Sequence, residues 1–149
     1  MKKKTYNYEY PRPAVTADCV VFSREETGLS VLLIERVNEP FKGCWAFPGG
    51  FMDMDEDAEA CAIRELKEET GLEIMSMKQV GAFTEVNRDP RGRTVSIAFY
   101  AVIEKSEVKG SDDAAQAKWF PIDSIPPLAF DHEEILRMAL KEIKKDREE

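Results

Sequence analysis

The stretch DAEACAIRELKEETG, Asp57 to Gly71, constrains this chain most, because its ends and periodicity specify a helix and its charges specify the polar face. Asp57 is a residue type that caps a helix N-terminus, and Gly71 one that closes a C-terminus in the left-handed conformation. Ala58, Ala62 and Leu66 recur at helical spacing beside Ile63 and make the packed face. At about 100° per residue, setting Glu65 at zero puts Glu68 at roughly 300° and Glu69 at roughly 40°, so three carboxylates share one face. Like charges four apart cost an isolated helix a few tenths of a kcal/mol. Two readings follow: free solvation, the usual state of an acidic helix face, or a positive partner. A hard divalent cation is such a partner, since Mg²⁺ prefers oxygen ligands, keeps several waters and is shared between a few carboxylates and substrate phosphates. Arg64 stands four residues before Glu68, within reach of that carboxylate. Upstream, Trp45 to Gly50 (WAFPGG) reads as a strand-like piece ending in a glycine pair, which lets backbone approach a ligand or offer a carbonyl.

Around this helix the chain alternates strands and one further helix. Ala14 to Phe22 and Leu29 to Arg36 are rich in β-formers and flank the turn-like Ser23 to Gly28, which predicts a hairpin. Val95 to Ile103 is apolar on both faces, the pattern of a strand covered on two sides, with Val80 to Glu85 as its upstream partner. Between them Asn87 to Arg93 (NRDPRGR) is a loop marked by Pro90 and Gly92. Lys118 to Pro121 predicts only a short late strand. The last helix spans Asp131 to about Asp146: Asp131 and Glu134 have capping-box spacing, and Ile135, Ala139 and Ile143 recur at i, i+4 and i+8. Strands with two packed helices predict an α/β sandwich. Residues 1–149 read as a single domain, with 1–13 as an N-terminal tail or arm.

Charge and cysteine content narrow the function. Lys+Arg 21 against Asp+Glu 29 leaves a net charge of −8, which argues against a general nucleic-acid binder. No apolar run approaches the roughly 18 to 20 residues a membrane span needs. The basic start Met1 to Lys4 is followed by TYNYEYPRP where a signal peptide would need an apolar stretch. Cys19, Cys44 and Cys61 form no CxxC pair, so neither a disulfide framework nor a zinc site is suggested and a reducing cytoplasm is the expected setting.

The segment Gly50 to Leu72 resembles, position by position, the Nudix box: Gly, five of any kind, Glu, seven of any kind, Arg-Glu-aliphatic, any, Glu-Glu, any, Gly-aliphatic. The matching residues are Gly50, Glu56, Arg64, Glu65, Leu66, Glu68, Glu69, Gly71 and Leu72. At average residue frequencies such a match arises in a chain of this length on the order of once in ten million. The chain therefore resembles the Nudix hydrolases. The resemblance implies an α/β/α sandwich with a mixed central sheet and Mg²⁺- or Mn²⁺-dependent hydrolysis of a nucleoside diphosphate linked to another group. It implies that Glu65, Glu68 and Glu69 bind the metal, that Glu56 supports the metal site, that Arg64 orients the glutamates, and that a Gly49 or Gly50 carbonyl adds a ligand. Glu68, Arg64 and Glu65 are thereby the candidate catalytic residues on the helix.

Beyond the box, TADCVVF, FKGCWAFPGGF, RDPRGR, SDDAAQAKWF and LAFDHEEIL resemble the ADP-ribose pyrophosphatase branch, which implies conversion of ADP-ribose and water to AMP and ribose 5-phosphate. Arg88, Arg91 and Arg93 put three guanidinium groups in one loop, suited to paired hydrogen bonds with phosphate or to an ordinary solvated turn. By the resemblance, Asp113 completes the metal site or serves as general base, in competition with a helix glutamate. His132, the only histidine, has a side chain suited to proton transfer, and its place in the first turn of the last helix equally suits packing. Tyr6, Tyr8, Tyr10 and Phe22 are candidates to stack on a base; the tyrosine stripe equally suits pairing with a second subunit, and similar enzymes are often homodimers. Two further functions compete: a (d)NTP pyrophosphatase of the sanitising kind, and a non-catalytic ADP-ribose sensor. The sequence ends at Glu149 directly after a helix, which leaves no expected room for a DNA-binding domain.

Overall fold

A computed structural model describes residues 4–106, 108 and 114–148. Its centre is the hairpin of β1 (Ala14–Glu25) and β2 (Gly28–Arg36), paired antiparallel with Glu25 opposite Gly28. The turn is thus tighter than Ser23 to Gly28. Gly28 has φ 127°, a backbone conformation that a side chain would strain. Strands β3 (Trp45–Ala46) and β4 (Gly49–Phe51) follow, then α1 (Ala58–Thr70), β5 (Lys78–Phe83), β6 (Thr94–Ile103), β7 (Ala114–Pro121) and α2 (His132–Glu148). The sheet runs β3-β2-β1-β6-β5, with β4 on β1 and β7 on β2. It is mixed: β6 lies parallel to β1 along ten residue pairs, while the other pairings are antiparallel.

The period-two alternation of β1 explains the layers. Val20 and Phe22 point to a core with Val31, Leu33, Ile135, Ala139 and Ile143, so this face is covered by α2. Ala17, Cys19 and Val21 point the other way, onto Leu32, Cys61, Ala62 and Leu66, so that face is covered by α1. One helix on each face of a mixed sheet is an α/β/α sandwich, and it accounts for the apolar runs that carry no polar side.

Four local expectations change. The glycine-ended piece is two strands: Trp45–Ala46 pairs with β2, and beyond Phe47-Pro48 the chain crosses to pair Gly49–Phe51 with β1. The late strand is twice the expected length because β7 follows β2 from Ser30 to Arg36 with a register shift. Phe22 is fully buried, so it takes no part in stacking on a ligand. The Asp131 carboxylate does not close a capping box, because Nε and Nη2 of Arg88 take its two oxygens at 2.9 and 2.6 Å, while Glu134 pairs with Arg137. Among the described residues no helix is long and apolar enough to cross a membrane.

Candidate active site

The caps of α1 form as the sequence requires. The Asp57 carboxylate accepts the Ala60 N–H at 2.8 Å, and Gly71 closes the helix at φ 78° with its N–H on the Lys67 carbonyl. Between these caps the helix carries Glu65 and Glu69 against the glycine strand. Glu69 Oε1 accepts the Gly49 N–H at 2.8 Å. A Cβ on Gly50 would fall 2.6 Å from the Glu65 carboxyl carbon, so glycine is what lets the carboxylate lie against this backbone.

Arg64 gathers the other acids. Its Nη2 and Nε bind the two oxygens of Glu56 at 2.6 and 2.9 Å, and Nη1 reaches Glu65 at 2.8 Å and Glu68 at 3.2 Å. Glu56 also accepts the Asp53 N–H at 2.9 Å. The guanidinium beside it holds Glu56 down to about 2, while the same contacts raise Arg64. Both Glu56 oxygens are engaged, so its structural task is to hold Arg64. Glu69 has the opposite electrostatics. Burial pushes it up to about 8, with Glu65, Asp18 and Glu68 adding to the rise and the Gly49 N–H opposing it. Glu65 is raised for the same first reason, burial. Beneath the helix, burial also pushes the Cys61 thiol up to about 12 and leaves it a neutral packing group.

A cleft of about 190 Å³ opens beside Glu69 and Gly49. Thr16 and Asp18 of β1 line its inner end with Phe47 and His132; Arg36, Arg91, Phe51 and Phe130 line the rest. Phe130 adopts φ 52°, unusual for an aromatic residue, and sits with the Arg36 and Arg91 guanidinium carbons 5.0 and 5.4 Å from its ring. The three loop arginines part company. Arg88 is buried on Asp131 and Arg91 lies on Asp89 with Nη2 at 2.8 Å, and both line the cleft, whereas Arg93 donates to the Glu85 carbonyl and does not line it. Asp113 lies outside the described residues. His132 is buried, its Nδ1 accepting the Phe47 N–H at 3.1 Å and its ring stacked on Phe47 at 5.0 Å, which is the packing alternative. Burial lowers its pKa.

Sequence reasoning passed over Asp18, Arg36 and Phe130. One signal was present for Asp18: a lone carboxylate inside the apolar run AVTADCVVF needs a reason to be there. Arg36 and Phe130 carried no comparable mark, since each is an ordinary strand-end or loop residue until the fold closes.

Among the described residues no three His, Cys, Asp or Glu side chains converge closely enough to enclose a metal unaided. Glu65, Glu68 and Glu69 nevertheless present hard oxygen donors on one helix face. Glu69 is a half-buried carboxylate with no ion pair among the described residues, and its one hydrogen bond is from the Gly49 N–H. That chemistry fits an ion that keeps several waters and takes only a few carboxylates.

Comparison with known proteins agrees with this architecture. A family model described as the NUDIX domain matches residues 12–139. Over 128 residues the chain is 43% identical to an ADP-ribose pyrophosphatase of Methanocaldococcus jannaschii, covering 86% of this chain and 73% of that protein. It is 37% identical over 136 residues to the ADPR responsive transcriptional repressor NtrR of Acinetobacter baylyi, covering 88% of this chain but 54% of the repressor, about half its length. Among solved structures, the Nudix domain of Shewanella oneidensis NrtR complexed with ADP ribose superposes with a TM-score of 0.85 at 31% identity, covering 92% of this chain and 94% of that one. A MutT/nudix family protein from Enterococcus faecalis gives 0.87 at 30% identity over 95% of this chain and 66% of that one. With the box on α1, the sandwich around it and the family model over most of its length, this chain belongs to the Nudix family and is a Nudix pyrophosphohydrolase.

Proposed function

We propose that the protein hydrolyses ADP-ribose to AMP and ribose 5-phosphate with Mg²⁺, or Mn²⁺ in its place. The observation that carries the reading is the cleft itself, with uncompensated carboxylate at one end and the guanidinium groups of Arg36 and Arg91 beside aromatic rings further out. A ligand carrying a pyrophosphate between ring systems matches that order of charges. The 43% identity to an ADP-ribose pyrophosphatase supports the same substrate.

Glu65, Glu68 and Glu69 are the proposed metal ligands, with a Gly49 carbonyl beside them and Glu56 acting through Arg64. The bound ion supplies neutralisation of the pyrophosphate and activation of the attacking water. Arg64 holds Glu65 and Glu68 in one arrangement before substrate arrives, which lowers the reorganisation needed at the reacting phosphorus. Arg91 and Arg36, which line the same cleft, stabilise phosphate charge there. A water oxygen bonds to phosphorus as the bridging P–O bond breaks, and the water's proton passes to a carboxylate. Asp113 is the proposed acceptor, and undiminished turnover in Asp113→Asn would hand that task to a helix glutamate. Free Cys19, Cys44 and Cys61 accord with a reducing cytoplasm, and exposed Tyr6, Tyr8 and Tyr10 with a homodimer.

A second reading, ADP-ribose binding without turnover, is favoured by one observation: the likeness to the ADPR responsive repressor and to the NrtR Nudix domain complexed with ADP ribose. Phosphate release coupled to alkaline phosphatase, across ADP-ribose, NADH, nucleotide sugars, diadenosine polyphosphates and (d)NTPs, separates these. A kcat/KM for ADP-ribose at least about tenfold above the others is the expected result. Preference for an oxidised dNTP would replace the substrate, and tight ADP-ribose binding without turnover in Mg²⁺ would make the protein a sensor.

A further inference from the structure

Two carboxylate–guanidinium forks stand in series along the β5–β6 loop. In the first, Asp131, immediately before α2, takes Nε and Nη2 of Arg88 at 2.9 and 2.6 Å, which fixes the chain just ahead of Asp89. In the second, Asp89 takes Arg91: Oδ1 accepts the Arg91 backbone N–H at 2.9 Å and Nε at 3.1 Å, and Oδ2 accepts Nη2 at 2.8 Å. The turn itself needs only the bond to the backbone N–H, which a neutral Asn would make as well. The fork is additional, and it is made by a carboxylate whose side chain is 2% exposed, against 42% for its arginine. Burial works against ionisation of Asp89, but the Arg91 guanidinium and N–H, with Arg88 nearby, outweigh it and hold the carboxyl below its ordinary range. A charge is thus kept inside a loop whose turn does not require one.

We infer that Asp89 is a positioning residue for Arg91, fixing its guanidinium so that the Nη1–Nη2 edge is offered to a phosphate of the ligand in the cleft that both residues line. Arginine has five N–H donors. Asp89 engages Nε and Nη2, and among the described residues Nη1 makes no hydrogen bond, so one edge is held and the other keeps the fork that suits a phosphate. The Phe51 and Phe130 rings, 5.1 and 5.4 Å from the guanidinium carbon, restrict it further. A free arginine side chain loses rotational freedom when it grips an anion; one already seated on a buried carboxylate loses less, so the gain appears as affinity. Asp89 also offsets part of the positive charge, which acts the other way, and the sign of its effect shows which governs. Arg36 lacks this support: its Nε goes to the Pro40 carbonyl, and among the described residues no carboxylate pairs with it. The inference rests on the proposed phosphate contact of Arg91, not on hydrolysis.

The test is calorimetric binding of ADP-ribose to the full chain in chelator, with kcat and KM in Mg²⁺ beside it. Asp89→Asn keeps an oxygen for the Arg91 backbone N–H, and with it the turn, but presents an NH₂ where the fork had its second acceptor. It is expected to weaken binding at least about fivefold and to raise KM by a like factor, with kcat within about twofold of the parent. In an Arg91→Met background the same change is expected to matter less than about twofold, because the arginine it serves is gone. Unchanged or tighter binding in Asp89→Asn overturns the inference, and so does an equal loss in both backgrounds, the mark of a merely structural role. A second measurement needs no ligand. In the parent the Arg91 Nε–H is expected to exchange with water at least about tenfold more slowly than the Arg93 Nε–H, which makes no hydrogen bond among the described residues. Equal exchange of the two overturns the inference even if Asp89→Asn does not fold. Binding coupled to Asp89 without turnover would remove the proposed hydrolysis and keep the positioning role. Turnover of ADP-ribose that Asp89→Asn leaves at the parent's KM would do the reverse.

Discussion

Arg64 and Arg88 are both guanidinium groups laid on carboxylates, and they do opposite work. Arg64 is 30% exposed and binds acids supplied by its own helix and the loop just before it, Glu56, Glu65 and Glu68. Arg88 is 3% exposed and binds Asp131, 43 residues away, tying the β5–β6 loop to the start of α2. A half-open cluster is screened by water and contributes little to stability, but it holds several charges in one arrangement for chemistry. A buried pair adds little net stability relative to an apolar replacement, yet breaking it strands a charge. Charge pairing near the surface therefore serves geometry here, and charge pairing in the interior serves attachment.

The sharpest test removes charge where chemistry is proposed. Glu68→Gln is expected to lower ADP-ribose turnover by about 10²- to 10³-fold while the thermal midpoint stays within about 2 °C, because its exposed carboxylate acts on the reaction and not on packing. Activity within a few-fold of the parent would remove Glu68 from the metal site. Next, Arg88→Ala is expected to cost about 3 kcal/mol in urea unfolding, whereas Arg64→Ala costs under about 1 kcal/mol but lowers kcat at least tenfold. Similar stability losses in the two variants would end the comparison.

Titration gives a smaller effect with a definite sign. Glu69 is raised from 4.5 to about 8 in the folded, metal-free protein, so folding favours its protonated form. Stability is highest below pH 4.5 on this account, declines as the carboxyl ionises toward pH 8, and levels off above it. Melting curves in chelator should show that decline, and Glu69→Gln should flatten it; an identical slope in the variant would assign the decline to other groups. The smallest effect expected is Asp57→Ala, about 1 kcal/mol for the lost bond to the Ala60 N–H, read by urea unfolding.

Local signals were the legible ones. Asp57 and Gly71 bound α1 as read, because a cap depends on neighbours within four residues. The main strands were legible because apolar runs and turn residues mark them, and the two-sided apolar character of β6 already implied a strand covered on both faces. What misread was also local: Asp131 and Glu134 have the spacing of a capping box, and no spacing rule sees an arginine arriving from another loop. The same limit hid the division among Arg88, Arg91 and Arg93, which look alike in sequence, yet Arg88 and Arg91 line the cleft, the first buried on Asp131, and Arg93 does not.

The sequence by itself determined the helix, its acidic face and the family, because these depend on residue types at fixed short separations along a regular backbone. Only the tertiary structure decided that Asp18, Ser96 and His132 meet, that Gly50 lies against Glu65, and that Phe130 stands close to two arginines. Those contacts join residues from different strands, helices and loops. Their distances are set by sheet register and by how each helix seats on its face, quantities that no short-range pattern carries.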